Sequence, residues 1–284
     1  MFHCLLALML FATENPADHK LPVGVILVKG AVPSASDGTA PLPEDGRYED
    51  GSYVNSYFGL TVPLPAGWTE SFKGPPPSDS GSYVLAQLKD EKGKSKATIV
   101  ITAQDQFFSL IPARSAIETV KFASERLQPE LEVVRPPAEV RIGERTFARF
   151  DYRSPVADLH WVIVTTEARC HTLQFTFIGR DPKLLDGLTA GLSKLKLAAG
   201  GAPRCVANYA DVIYRIDPVL TDHRHNSIPV RVVIDKEGRV KHVHVISAFE
   251  EQSAAITKAL LQWRFKPYVQ NGEPVEVETG MMLH

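Results

Sequence analysis

Alternation of hydrophobic and polar residues predicts a run of β-strands through the middle of the chain. Successive side chains of a strand point to opposite faces of the sheet, so a half-buried strand repeats with a period of two. Strand patterns occupy residues 57–64, 83–88, 97–102, 139–142, 146–152, 159–165 and 170–178. An imperfect helical stripe covers 115–127 and ends before Pro129, and Asp181-Pro182 begins a closing helix with leucines on one face. We therefore expect one α+β domain over residues 52–197.

A different order of elements occupies the last third of the chain. Residues 229–235 alternate as a strand, Gly238 allows the tight turn that follows, and residues 239–247 form the return strand. A helix is predicted over 250–263, and the last strand over 274–282 follows a turn at Asn271-Gly272. This order predicts a small ββαβ domain.

The last third resembles the C-terminal domain of TonB family proteins. The resemblance rests on the strand end Ile234-Asp235, the turn Gly238-Arg239-Val240, the strand Val243-His244-Val245-Ile246-Ser247, and an Ala-rich helix that runs into Trp263-Arg264-Phe265-Lys266-Pro267. It covers residues 213–284. The domains of this family usually open with a Tyr-Pro pair, and here Tyr214 is separated from Pro218.

The resemblance implies a binding function rather than a reaction. In the family, a peptide of an outer-membrane receptor docks on the final strand as an added strand, which its unpaired backbone groups permit. By position, the partner-binding residues would be Val275, Val277, Thr279 and Met281, with Glu276 and Glu278 on the opposite face. We expect a receptor or another envelope protein as the partner, and a homodimer could form through the same strand.

The middle domain resembles PsbP/Mog1-type domains more loosely. The resemblance rests on Tyr57-Phe58-Gly59-Leu60, Pro63 and Pro65-Ala66-Gly67-Trp68, together with strands around a long helix and a terminal helix. It implies an α/β/α sandwich with an antiparallel sheet, and an accessory or binding domain.

The N-terminus suggests export. Residues 1–12 form an apolar run of the size found in secretory signals, far shorter than the roughly 20 residues of a membrane-spanning helix. Energy transducers of the TonB family carry such a helix and a long spacer, so energy coupling stays open for this chain. Residues 13–51 and 198–212 are predicted linkers, although 23–28 could form a short strand. A net charge of -2 gives no reason to expect nucleic acid as a partner.

The cysteines and the histidines can each be interpreted in two ways, as a bonded or metal-binding set or as unrelated side chains. Cys4 would leave with a cleaved signal, so Cys170 and Cys205 could form a disulfide in an oxidising compartment or remain two unrelated thiols. His242 and His244 share one strand face and could begin a metal site, as could His223 and His225, but no further ligand lies at a recognisable spacing.

We predict no metal, no cofactor and no catalytic residue, because the sequence has no nucleophile elbow, phosphate loop, dinucleotide fingerprint or zinc-protease helix. His160 and His171 could be cross-strand neighbours in the middle domain. The alternative function is a metal-dependent protein or an enzyme that uses the histidine pairs.

Overall fold

The computed structural model describes residues 31–32, 34–72, 77–90, 92–93, 96–197, 203–220 and 227–283. The expected signal at 1–12, the strand at 23–28, and His223 and His225 lie outside the described residues. The described residues all belong to the unit Ala31–His284.

The first two thirds of the chain contain thirteen of the described strands and both helices of the middle region. The strands are β1 Ala31–Val32, β2 Ala35–Ser36, β3 Arg47–Glu49, β4 Ser52–Asn55, β5 Leu60–Pro63, β6 Trp68–Phe72, β7 Ser82–Asp90, β8 Thr98–Asp105, β9 Glu132–Ile142, β10 Arg145–Ser154, β11 Leu159–Ala168, β12 His171–Gly179 and β13 Lys196–Leu197. Helix α1 spans Ala116–Glu125 between β8 and β9, and α2 spans Pro182–Ala190 after β12, followed by a 3-10 turn at Gly191–Lys194.

A seven-stranded antiparallel sheet is the centre of the middle region. Its strand order is β6-β7-β8-β12-β11-β10-β9, so β9, β10, β11 and β12 pair in the order in which they follow one another along the chain. The Ser115 side chain accepts a hydrogen bond from the Glu118 N–H and caps α1, and Asp181 caps α2 in the same way through Lys183. Both helices therefore begin where the sequence predicts.

The two faces of this sheet are covered differently, and the expected α/β/α sandwich is not confirmed. Helix α1 packs Val120 against Phe150 and Ile163 on one face. The other face is covered by α2 together with a four-stranded sheet, β13-β5-β4-β3, whose Tyr53 and Leu60 share a core with the large sheet. One outer layer is thus helical and the other is largely β. The sequence predicted only one strand of this layer, β5, within 57–64. It did not reveal β3, β4 and β13, which are two to four residues long.

The last third contains the predicted ββαβ order with extra strands. Its elements are β14 Arg204–Cys205, β15 Val212–Tyr214, β16 Ile228–Ile234, β17 Val240–Val245, β18 Ala248–Phe249, α3 Glu250–Leu260, β19 Arg264–Phe265, β20 Val269–Gln270, β21 Glu273–Pro274 and β22 Val277–Leu283. The main sheet has the order β14-β22-β16-β17-β2. Strands β16, β17 and β22 with α3 form the ββαβ unit, and β2 and β14 come from segments that were expected to be linkers.

Alternation along β16 determines which face of this sheet meets α3. Val230, Val232 and Ile234 lie in one core with Ile256 and Leu260 of α3. The intervening residues point to the opposite face, where a buried arginine, Arg231, meets residues of the middle region. The sheet of the last third is therefore covered on both faces.

The described part of the expected 13–51 linker is not a free connection. Ala35–Ser36 pairs with His244 and Val245 at the edge of β17, and the Asp37 N–H donates to the carbonyl of Val243 at 3.2 Å. An unpaired strand edge offers backbone donors and acceptors to any extended segment, which explains why this polar segment is ordered.

Candidate functional site

Strand β22, which the sequence singles out for partner binding, has its inner edge paired with β16. The register runs from Ile228 opposite Leu283 to Ile234 opposite Val277. Val277 and Thr279 are fully buried, and Val275 and Met281 pack against the core under α3. The four residues predicted to bind a partner therefore have their side chains turned to the inside of the domain.

The outward backbone groups of β22 belong to the other set of residues. The carbonyls of Glu276 and Glu278 accept hydrogen bonds from the N–H groups of Arg204 and Val206, each at 3.0 Å. Because the N–H and C=O of one strand residue point the same way and alternate along the strand, the next outward groups belong to Gly280 and Met282. Side-chain alternation in the sequence identifies the faces of a strand but not which edge is open.

The outer edge of β22 is half occupied. Strand β14 runs parallel to it, with Arg204 opposite Val277 and Cys205 opposite Glu278, and ends there. Within the described ranges, no strand pairs with residues 280–283 on this side. The C-terminal part of this edge therefore leaves the outward backbone groups of Gly280 and Met282 without a neighbouring strand, and the Met282 side chain is 43% exposed.

Both faces beside the free end of β22 carry apolar side chains. On the α3 side lies a groove of about 630 Å³, lined by apolar residues that include Tyr209, Trp263, Phe265, Met281 and Leu283, and also by the charged residues Arg215 and Asp217. On the other side, Phe107 and Phe108 of the middle region lie against Gly280, where a Cβ would come within 2.5 Å of the Cβ of Phe107. Only glycine fits at position 280 without displacing that loop.

A buried group of charges lies under β22, between its sheet and the middle region. The Arg231 guanidinium is 1% exposed and forms ion pairs with Asp105 and, at 3.0 Å, with Glu278. Tyr57 donates a hydrogen bond to Glu278 at 3.3 Å, and burial raises the pKa of this phenol far above its usual value. Sequence reasoning missed these residues, because Asp105 and Arg231 lie 126 positions apart and no local pattern links them.

Two histidines beside Arg231 are held in the neutral form. Burial, followed by the nearby Arg231 charge, lowers the pKa of both His171 and His244 well below the usual 6.5. His171 Nδ1 lies 2.6 Å from the carbonyl oxygen of Arg169 and donates a hydrogen bond to it, so in the neutral ring Nε2 carries a lone pair. Although Nε2 lies 3.7 Å from Asp105, the two do not form an ion pair, because Arg231 already neutralises that carboxylate.

The candidate metal ligands have protein partners. His244 Nε2 lies 2.7 Å from the Ser34 hydroxyl, and His242 Nδ1 lies 3.3 Å from an oxygen of Asp37. Both histidines thus help to hold the segment around β2. His160 and His171 are not cross-strand neighbours, which corrects the sequence expectation: His160 pairs with Gly179 and His171 with Ala168, at opposite ends of the β11–β12 hairpin.

The structure joins Cys170 and Cys205 in a disulfide, with Cα atoms 5.5 Å apart. Arg169 and Cys170 form the two-residue turn between β11 and β12, with φ of 46° and 61°. A two-residue hairpin turn with positive φ usually contains Asn and Gly, so Arg169 and Cys170 do not indicate a turn in the sequence. Arg169 is held by the carbonyl of Tyr57 at 3.0 Å, and its guanidinium lies 4.0 Å from the centre of the Tyr57 ring.

No helix in the described ranges has the length and apolar character to cross a membrane.

A comparison with curated proteins gave no match. Among solved structures, the chain is similar to the cyanobacterial PsbP protein (CyanoP) of Synechocystis sp. PCC 6803, with 14% identity and a TM-score of 0.36 over 65% of this chain and 100% of that one.

Residues 223–283 match the family model described as the Gram-negative bacterial TonB protein C-terminal domain. The matched range contains β16, β17, α3 and β22 in the predicted order. The expected resemblance of the last third to the TonB C-terminal domain is therefore confirmed over residues 223–283.

Proposed function

We propose that the chain is a non-catalytic protein-binding component of the periplasm or cell envelope, which takes an extended peptide of an envelope partner as an added strand on β22. The observation that carries the proposal is the pair of outward-facing backbone positions, Gly280 and Met282, beyond the end of β14. A partner strand there would gain main-chain hydrogen bonds, and pockets beside it would select alternate side chains.

The surroundings of the edge favour an apolar peptide. One set of alternate side chains would meet the groove between Trp263 and Leu283, and the other would meet the surface near Met282 and Phe108. Hydrophobic contacts of this kind stabilise association roughly in proportion to the apolar area removed from water. An outer-membrane receptor segment, as the family resemblance implies, is the partner class we favour, and the role would then be in transport across that membrane.

Replacing Met282 with proline tests the proposal directly. The Met282 N–H points away from β16, so Met282→Pro removes only an outward donor and places the ring against an incoming strand. We expect capture of envelope proteins from detergent-solubilised Gram-negative outer membranes to fall at least about tenfold, equivalent to about 1.4 kcal/mol of binding free energy. Met282→Thr keeps the donor and should bind as the wild-type chain does.

The control for this experiment is the fold itself. Circular dichroism of Met282→Pro should match the wild-type spectrum, because edge positions tolerate proline. A folded Met282→Pro chain that captures the same proteins at wild-type levels would place the interface elsewhere. Failure of the wild-type chain to enrich any envelope protein over an unrelated control protein would refute the proposed function.

A further inference from the structure

The Cys170–Cys205 disulfide holds a short strand over part of the outer edge of β22, the edge on which the proposed function depends. Cys205 is one of the two residues of β14, which lies on the outer edge of β22. The hydrogen bonds from Arg204 and Val206 use the carbonyls of Glu276 and Glu278, the positions next to the open pair. We propose that this disulfide is a redox-controlled latch: it holds β14 on the first half of the partner-binding edge, and its reduction extends the open edge from Gly280 back to Glu276.

The two cysteines are held very differently. Cys170 is buried in a hairpin turn, and its carbonyl accepts a hydrogen bond from Gln106 at 3.0 Å. The neighbouring Arg169 binds the carbonyl of Tyr57. Cys205 lies in a strand of two exposed residues. A strand this short is marginal without a tether, so opening the disulfide frees the Cys205 side and leaves Cys170 in place.

The released segment has fixed ends, which confines the opening to the edge. Before it, Lys196–Leu197 pairs with β5. After it, the Tyr209 ring stacks on Phe265, and its hydroxyl donates to the carbonyl of Lys266. The movement therefore requires no change in β16, β17 or α3.

The chemistry is a thiol–disulfide exchange with a protein dithiol. A thiolate of the dithiol attacks the sulfur of the exposed residue Cys205, the bond between the cysteines breaks, and Cys170 leaves as a thiolate and takes up a proton. The second thiol of the dithiol then attacks the mixed disulfide and releases Cys205. The dithiol is oxidised and the cysteine pair reduced by two electrons. The Cys170 sulfur lies 4.0 Å from a carboxylate oxygen of Glu278, which can accept a hydrogen bond from the new thiol.

The opposite edge of the same sheet supplies an internal comparison. There β2 lies on β17, and the Asp37 N–H donates to the carbonyl of Val243. Among the described elements, β2 and β14 are the two outer strands of this sheet, and only β14 is tied by a disulfide. A latch predicts that reduction affects the β14 edge alone.

Residue-resolved hydrogen exchange tests the latch on the full-length chain with Cys4→Ser, which leaves one cysteine pair. Upon reduction with dithiothreitol, we expect the amides of Arg204 and Val206 to exchange at least about tenfold faster, while that of Asp37 is unchanged. The matched control Cys170→Ser/Cys205→Ser should exchange fast at both positions with or without reductant. Unchanged exchange at Arg204 and Val206 would overturn the proposal, and so would an equal rise at Asp37 and throughout β16 and β17.

A capture experiment separates the latch from the binding function on which it rests. Cys205→Ser should capture at least about fivefold more envelope protein than the oxidised chain, because the accepting edge is longer. If Cys205→Ser captures the same amount while Met282→Pro still loses capture, the latch is wrong and the binding function stands. If neither the oxidised nor the reduced chain captures any envelope protein, the latch and the proposed binding function are both wrong.

Discussion

At the scale of single residues, Arg231 connects the last third of the chain to the middle region. Its guanidinium is fully enclosed and bonded to Asp105 and Glu278, and the carbonyl of Arg169 lies 3.4 Å away. Burying a charge is costly unless it is paired and hydrogen-bonded, and here the fork of five donors meets two carboxylates. The stability of this contact depends on keeping all three charges together.

Replacement of Arg231 should therefore be strongly destabilising. Arg231→Met keeps the length of the side chain but leaves Asp105 buried without its counter-charge, and leaves Glu278 with only the Arg169 guanidinium, 3.6 Å away. We expect the free energy of unfolding to fall by about 3–5 kcal/mol, measured by urea denaturation. The exposed Arg239, which pairs with Asp235 and Glu237, is the control, and Arg239→Met should lower the free energy of unfolding far less, because solvent screens surface ion pairs. Equal effects of the two changes would contradict a structural role for the buried cluster.

The neutral histidines should make stability depend on pH. The pKa of His171 and of His244 is lowered in the folded chain by burial and by Arg231, with the Arg169 charge adding to the effect. Below the unfolded value of about 6.5, the unfolded chain therefore binds more protons, so the free energy of unfolding is greatest above pH 7 and falls as pH decreases.

Each of these histidines should make the free energy of unfolding rise with pH below the unfolded pKa of about 6.5, with a slope that corresponds to at most about one proton. Urea denaturation at pH 7, 6 and 5 measures the slope. His244→Gln removes one titrating group and should reduce the slope by about one proton. A wild-type stability that is the same at pH 7 and 5 would show that the two side chains are protonated in the folded chain as well.

At the scale of elements, the sequence predicted the helices and most of the longer strands, because their patterns are local. Of the longest strand, Glu132–Ile142, it predicted only 139–142. The alternation over 229–235 corresponds to Ile228–Ile234, and the helix expected at 115–127 is Ala116–Glu125. The two-residue strands β2 and β14 could not be predicted, since they have no period to detect. They are ordered by the unpaired edges that they meet, and those edges exist only once β17 and β22 have formed.

The strand proposed to bind a partner, β22, shows the same limit in more detail. The sequence identified β22 and assigned Val277 and Met281 to one face, and both residues do pack on the same core. The sequence could not show which backbone groups of β22 face outward, because that depends on which residues of β22 form hydrogen bonds with β16. The backbone N–H and C=O groups that face outward beyond β14 belong to Gly280 and Met282, whereas those of Val277 and Thr279 face β16.

At the scale of the whole molecule, the middle region and the TonB-type domain share one buried surface. The residues in it come from distant parts of the sequence, with Tyr57 and Asp105 on one side and Arg231 and Glu278 on the other. The disulfide and the pairing of β2 with β17 add two further connections. A domain that swings freely on a linker would expose these groups to water, so the contact favours two regions that behave as one folding unit.

This coupling predicts a single unfolding transition for the oxidised chain. Trp263 is buried in the core of the last third, whereas Trp68 and Trp161 lie in the middle region, so Trp68→Phe/Trp161→Phe leaves one fluorophore that reports on the TonB-type domain alone. In that variant, the urea midpoint of Trp263 fluorescence should coincide with the midpoint from circular dichroism, which is dominated by the seven-stranded sheet. Adding Arg231→Met should separate the two midpoints, with Trp263 unfolding at the lower urea concentration because its domain has lost the buried contact. Separate midpoints before Arg231 is changed would mean that the buried charges do not couple the two regions, and that the TonB-type domain unfolds independently of the middle region.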